Sequence, residues 1–377
     1  MNKENEIDIL LATENVGSIP NLDHITTDNR TFIILPINDC WWICQINEQE
    51  VKHLAKAPGG ADARYFTSPS EPLLFAYVDQ VRKRVALYRY LNAEPWFEKI
   101  ISPSTLPRNC RADDVLIHNG LLYVGGRGKM GECLWTRDKK DENWRLIPMP
   151  SDICLSGDLF SRYKSIDLVF WDGKRLIAVD NFVIPKWILT YDITDNKEIT
   201  HLESIGLCIH TTYEKVITGA MNQNYIALIS GGINHGTVSI HLSILDTGTL
   251  TEIASCCVFS QDNFGNTSSE KSYKVTNVAF LKDYLLLATR DGVLCTKIDN
   301  PTESLKKCQF DKIELNTIVE PKRFVMHPCI DYTFFVVGID SCEKQNYEQV
   351  DIFTHPRSKI KSPLLQEKYW SGYSSFS

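Results

Sequence analysis

Apolar residues along this chain fall in short runs of four to eight, rich in Val, Ile, Leu, Tyr, Phe and Trp. Clusters of Asp, Asn, Gly, Lys and Pro separate the runs. That alternation predicts strands, and helical spacing is almost missing. Three segments share one pattern: "DDVLIHNGLLYVGG" from Asp113, "IDLVFWDGKRLIAVD" from Ile166 and "TNVAFLKDYLLLATRDG" from Thr276. Each opens on a polar Asp or Asn, continues as an apolar strand, turns through Asn, Asp or Lys, and returns as a more hydrophobic strand. A third and a fourth strand follow, as in "KWILTYDIT" and then "EITHLESIGL". The repeated unit is a four-stranded antiparallel meander.

First strands are expected to begin near Thr27, Ala63, Ala112, Lys164, Tyr213, Lys274 and Pro321, which makes seven units. The last unit supplies "RFVMHPCID", "YTFFVVGID" and "EQVDIFTHP" but no fourth strand, while "EIDILLAT", Glu6 to Thr13, has no partner nearby in sequence. Pairing the two would close a ring and protect edges that an open array would expose. Four-stranded units repeating every ~40 to 50 residues resemble the blades of a β-propeller. The expected fold class is therefore all-β: a seven-bladed β-propeller of four-stranded antiparallel blades, closed by the N-terminal strand. Residues 1–377 then make one domain, with the closing strand at 6–13, the blades over about 27–355 and a C-terminal tail at 356–377.

The third unit resembles a kelch repeat. Gly125 and Gly126 end its second strand, Trp135 falls on the third, Trp144 on the fourth, and Pro148 to Pro150 follow. Its "TRDKKDENW", with Thr136, Asp138 and Trp144, is similar to an Asp-box but one residue longer. The fifth unit keeps only Gly231 and Gly232, and no unit ends in the Trp-Asp pair of WD repeats. The resemblance reaches the superfamily and stops there.

Composition narrows the function classes. With 43% hydrophobic and 23% charged residues, the chain resembles folded globular proteins. A formal net charge of -7 argues against nucleic-acid binding, and "VRKRVALYRY" (Val81 to Tyr90) reads as a solvated strand. The N-terminus lacks a basic region leading into an apolar stretch, and no window approaches a membrane span, so a cytoplasmic location is expected. The twelve cysteines include no C-x-x-C pair and read as reduced, mostly buried thiols.

Gly126, Gly128 and Gly131 stand at G-x-G-x-x-G spacing. A dinucleotide loop must open a helix, whereas "ECLWTRDKKDENWRL" continues as strand, turn and strand. The expected role is a hairpin loop whose glycines permit positive φ.

Asp114, Asp167 and Asn277 occupy matching places at first-strand starts. In propeller enzymes such places ring the central channel, and resemblance to propeller lactonases and related hydrolases implies oxygen ligands for Ca²⁺ there. Asp and Asn at strand starts also order turns by bonding neighbouring backbone groups. His118, His210, His235, His241 and His327 have no catalytic partner by spacing, and there is no G-x-S-x-G elbow. Arg111, Arg127, Arg162, Arg290 and Arg323 lie near strand ends, where sialidase-type propellers gather arginines on a carboxylate, but spacing alone does not bring them together.

Three loops, Pro58 to Pro72, Leu155 to Tyr163 and Ser260 to Tyr273, are longer than a hairpin needs and mix aromatic with polar residues. With "GGRGKMG" they nominate Arg64, Tyr65, Phe66, Arg127, Lys129, Phe160, Arg162, Tyr163 and Phe264 as a protein-binding face. The aromatic tail from His355 to Ser377 is expected to pack locally. The main functional expectation is a non-enzymatic intracellular scaffold or regulatory subunit that binds another protein through one rim and the channel mouth. It would need no cofactor and bind neither nucleic acid nor membrane. The alternative is a hydrolase or lyase with a cation site in the channel, Ca²⁺ held by Asp114, Asp167 and Asn277.

Overall fold

The computed structural model describes residues 10–16, 23–27, 30–37, 40–46, 51–59, 63–67, 71, 73–79, 81–91, 93–107, 110–129, 131–141, 143–151, 153, 163–181, 186–194, 197–208, 210, 214–234, 237–262, 275–281, 284–289, 292–306, 310–313, 323–328, 334–342 and 347–354. Strand β1 is Leu10–Val16. One sheet holds β2 (Asp23–Thr27), β3 (Arg30–Ile37), β4 (Cys40–Ile46) and β5 (Val51–Lys56). The next holds β6 (Ala63–Thr67), β7 (Leu74–Asp79), β8 (Arg84–Tyr90) and β9 (Phe97–Thr105).

An eight-stranded sheet follows. It joins β10 (Arg111–His118), β11 (Leu121–Lys129), β12 (Leu134–Arg137) and β13 (Arg145–Leu146) to β14 (Tyr163–Trp171), β15 (Arg175–Asp180), β16 (Trp187–Ile193) and β17 (Ile199–Gly206). Then come β18 (Lys215–Met221), β19 (Tyr225–Asn234), β20 (Thr237–Asp246) and β21 (Glu252–Asp262), followed by β22 (Val275–Leu281), β23 (Tyr284–Thr289), β24 (Gly292–Lys297) and β25 (Asp311–Ile313). The last sheet contains β26 (Arg323–Pro328), β27 (Phe334–Cys342) and β28 (Tyr347–Thr354), and takes β1 as its fourth strand. Neighbours pair antiparallel throughout, so the chain is all-β with curled antiparallel sheets, consistent with a β-propeller. Among the described residues, no helix is long and apolar enough to cross a membrane.

Second strands are apolar because both of their faces are covered. Leu122, Tyr123 and Val124 on β11, and Leu176 to Val179 on β15, are fully buried. The core clusters lie between consecutive sheets: Phe66, Leu74 and Val85 pack with Val115, Leu122, Trp135 and Trp144. Tyr123 and Leu134 pack with Val169 and Leu189 in the same way. Each such aliphatic side chain contributes roughly 1.5 to 3 kcal/mol on burial, which makes the sheet-to-sheet seams the main source of stability. Hairpins between first and second strands are tight where the sequence asks for it. Asn119 and Gly120 both take positive φ, 51° and 70°, as the two-residue turn of β10 and β11 requires.

The expected closure takes the form of β1 pairing with β28 from Leu10↔Thr354 to Val16↔Glu348. Expected first-strand starts agree with the structure to within two residues, except the first. Thr27 ends β2 rather than beginning it, because "DHITT" alternates polar residues and hides a strand. The tail from 356 onward lies outside the described residues.

The glycine loop also differs from expectation. Gly126 and Gly128 lie inside β11, and only Gly131 has positive φ, at 78°. A β-carbon on Gly126 would collide with the Arg111 carbonyl oxygen, and one on Gly128 with that of Glu132. These two glycines are therefore required by close backbone approach rather than by a turn. Beyond Gly126, β11 runs on to pair with β14, Arg127↔Ser165 to Lys129↔Tyr163, and so joins the third and fourth units.

Candidate functional site

First strands of successive units pack on one another: β2 on β6, β6 on β10, β10 on β14, β14 on β18, β18 on β22 and β22 on β26. In a propeller, strands so placed form the inner wall. Four of them carry a bulge near their start, between Ala112 and Asp114, Ile166 and Leu168, Val216 and Thr218, and Val275 and Asn277. A bulge inserts one residue and re-aims side chains. Its register corrects the sequence alignment. Asp167 is the inserted residue of its strand and matches Asp113, whereas Asp114 and Asn277 follow their bulges and match Leu168.

Asp114 and Asp167 thus play different parts. Asp114 Oδ2 accepts the Val169 N–H at 2.8 Å, tying the third unit to the fourth. Asp114 keeps some accessible surface, but the protein packed round its carboxyl group raises its pKa to about 6, against the lowering effect of backbone N–H donors. Asp167 accepts from Ser165 Oγ, from Asn181 Nδ2 at 2.6 Å, and faces Lys215 Nζ at 3.7 Å. Both carboxylates are engaged by protein donors, and a nearby ammonium opposes a dication. Among the described residues no group of three or more His, Cys, Asp or Glu is placed to hold a metal ion. The side chain of Asn277 is outside the described residues.

Behind Asp167 lies a polar cluster that the sequence reading missed. Lys186 is buried, its Nζ 2.9 Å from Asn181 Oδ1, and desolvation pulls its pKa down to about 8 despite Glu214, Asp180 and Asp167 around it. Asn181 is the hub, since its amide also accepts the Val216 N–H at 2.7 Å and donates to the Val216 carbonyl at 2.9 Å. Glu214 accepts from Ser230 Oγ and from the His210 N–H at 2.6 Å. The available signal was "VDN" closing an apolar strand, a place where polar residues must find buried partners.

In front of Asp114 lies Asp113, whose Oδ1 is 2.8 Å from Arg111 Nε. Its Oδ2 is buried and has no hydrogen-bond partner among the described residues. Burial raises the Asp113 pKa and the Asp167 charge adds to it, while Arg111, Arg127 and Arg64 oppose. Of the arginines singled out in the sequence, Arg111 and Arg127 are brought together as a cross-strand pair, and Arg64 of β6 joins them; Arg162, Arg290 and the side chain of Arg323 are outside the described residues.

A serine–histidine arrangement also exists, but its geometry is wrong for a triad. Ser243 Oγ at 3.0 Å and Glu252 Oε2 at 3.2 Å both meet His210 Nε2, whereas a relay needs the serine and the acid on opposite ring nitrogens. His241 stacks on His210 with ring centroids 4.9 Å apart, and His118 stacks on Trp171.

The residues nominated for partner binding are placed as follows. Arg64, Tyr65 and Phe66 belong to strand β6, not to a loop. Tyr65 and Phe66 are buried, Tyr65 donating to the Pro58 carbonyl at 2.6 Å, so neither ring offers surface to a partner. Arg127 is exposed on β11. Lys129 and Tyr163 face each other across the β11–β14 pairing, their side chains outside the described residues, as are Phe160, Arg162 and Phe264 entirely.

No protein-family profile and no curated protein match the chain. Among solved structures, hydrazine synthase of Kuenenia stuttgartiensis is similar over 86% of this chain and 92% of its own, at 12% identity and a TM-score of 0.57. A Bacteroides uniformis protein provisionally assigned as a 6-phosphogluconolactonase is similar over 92% of both chains, at 13% identity and a TM-score of 0.51. At these identities the likeness shows the fold. It corrects the expectation of a non-enzymatic scaffold, because the architecture found here is one carried by chains described as enzymes.

Proposed function

We propose that the chain is a seven-bladed propeller enzyme of the hydrolase or lyase class, with Asp114 as its acid–base group and Asp113 and Asp167 beside it. What supports this reading is the grouping of Asp113, Asp114 and Asp167 on two first strands that pack on each other, where burial raises the Asp114 pKa to about 6. A group with a pKa near working pH is present in both protonation states, so it takes a proton in one step and returns it in the next. Hydrolysis and β-elimination both need that exchange. Asp167, held by Ser165, Asn181 and Lys215, lies near Asp113 and Asp114. Support for seven blades comes from β2 to β28 grouping in fours, with β1 completing the last.

The test is a screen of esters, lactones, glycosides and β-elimination substrates. Turnover is expected with one class, with an inflection in kcat/KM near pH 6, and Asp114→Asn is expected to lower kcat by ~10² to 10⁴. Absence of turnover in every class, or an Asp114→Asn variant as active as the parent, would overturn the proposal.

A further inference from the structure

The connection from β17 of the fourth unit to β18 of the fifth carries His210, and two fixed points bracket that residue. Leu207 N–H donates to the Lys186 carbonyl at 2.8 Å, and Val216 N–H donates to Asn181 Oδ1 at 2.7 Å. Between them His210 is held only by the fifth unit and by its own connection. Its Nε2 meets Ser243 Oγ of β20 at 3.0 Å and Glu252 Oε2 of β21 at 3.2 Å, and its main-chain N–H donates to Glu214 Oε2 at 2.6 Å. Its ring lies almost parallel to that of His241 of β20, at 9° and 4.9 Å between centroids.

A neutral ring accepts a cation against its face, whereas two cations at that spacing repel. One carboxylate, Glu252, touches an imidazole nitrogen, so the pair has a counter-charge in contact for one proton and not for two. The other titratable groups around the pair are Glu214 and Cys208 of the connection, Cys257 across from His241 on β21, and Lys186 of the fourth unit, which acts on Glu214. Thiols stay neutral in the acidic range, and Glu214 already accepts from the His210 N–H and from Ser230 Oγ.

We infer that His210 and His241 form a pH-operated latch between the fourth and fifth units, closed while the pair holds at most one proton and open once both rings are charged. Burial first, and then the charge of His210, hold the His241 pKa below the ordinary histidine value, against Glu214 and Glu252. The latched state thus binds fewer protons than the released one, and its advantage falls as pH drops through about 6.5. Release frees His210 from β20 and β21 and loosens the connection between its anchors at Lys186 and Asn181.

The experiment follows the full chain from pH 7.5 to 5.5. Histidine ring resonances are expected to show one ring of the pair titrating below the ordinary histidine range, and hydrogen exchange of the His210 amide, corrected for the intrinsic rate at each pH, to lose protection tenfold or more. His241→Phe keeps a stacked ring without a charge and should stay protected at pH 5.5; if it does not fold, His241→Gln serves the same purpose. Glu252→Gln removes the counter-charge and should open at higher pH than the parent. Asp114→Asn should open as the parent does, which separates the latch from titration at the inner wall. Equal protection of the parent at both pH values, acid opening of the His241 variant like that of the parent, or loss of the opening in Asp114→Asn overturns the inference.

Discussion

At Asp114 the proposed acid–base role and the stability of the fold pull in opposite directions. A carboxylate whose folded pKa is raised from 3.8 to about 6 favours folding only while it is protonated. Its contribution is complete below pH 4, falls as pH rises through 6, and at pH 8 leaves a penalty of roughly 3 kcal/mol, at about 1.4 kcal/mol per pKa unit. Asn keeps a carbonyl oxygen for the Val169 N–H and carries no charge. Asp114→Asn is therefore expected to melt higher than the parent at pH 8 and to lose that advantage below pH 4, in thermal melts across pH. A variant that is less stable at pH 8 would show that the carboxylate is favourably solvated in the fold. The sequence displayed Asp114 and Asp167 as equivalents because two adjacent aspartates, Asp113 and Asp114, open the third unit, and only the bulge tells which of them matches Asp167. Lys186 and Asn181 were invisible for a different reason: their partners Glu214 and Val216 belong to the next unit, about thirty positions along.

Among the elements, the second strands were the most legible, since apolar residues buried on both faces leave an unbroken hydrophobic run. First strands were harder. Their inner side is polar, which hid β2 behind "DHITT" and blurred which residue opens each bulge. The kelch-like glycines were legible as a signature but not as a mechanism. Gly126 sits where β11 runs against the start of β10, and a methyl group there would meet the Arg111 carbonyl. Gly126→Ala should cost roughly 3 kcal/mol, the range for overpacking a tight backbone contact, read as a lower urea midpoint at unchanged slope. Gly120→Ala meets no neighbouring atom, and its cost should reflect only the positive φ of 70°, about 1 kcal/mol.

For the whole molecule, closure joins segments more than 300 residues apart in sequence, and the hydrogen bonds of β1 to β28 make that join. Removing residues 1–16 takes away the fourth strand of the last sheet and bares the edge of β28. The melting temperature should fall by several degrees and the truncated protein should associate more readily, measured by calorimetry and light scattering. An unchanged melt would mean that the ends are held by other contacts. Closure was readable because one unit had a strand too few and one segment had no unit. What sequence periodicity did not reveal is that the units are unequal. β11 outruns its own unit, and its last three residues bond to β14. Two modules that share main-chain hydrogen bonds should open together, so amides of β10–β12 and β14–β16 are expected to exchange with deuterium as one cooperative block, while more distant sheets open independently. Asp113, Asp114 and Asp167 all belong to that block. The carboxylates then keep their mutual spacing while the rest of the ring breathes, and any opening that admits a ligand has to come from the neighbouring sheets.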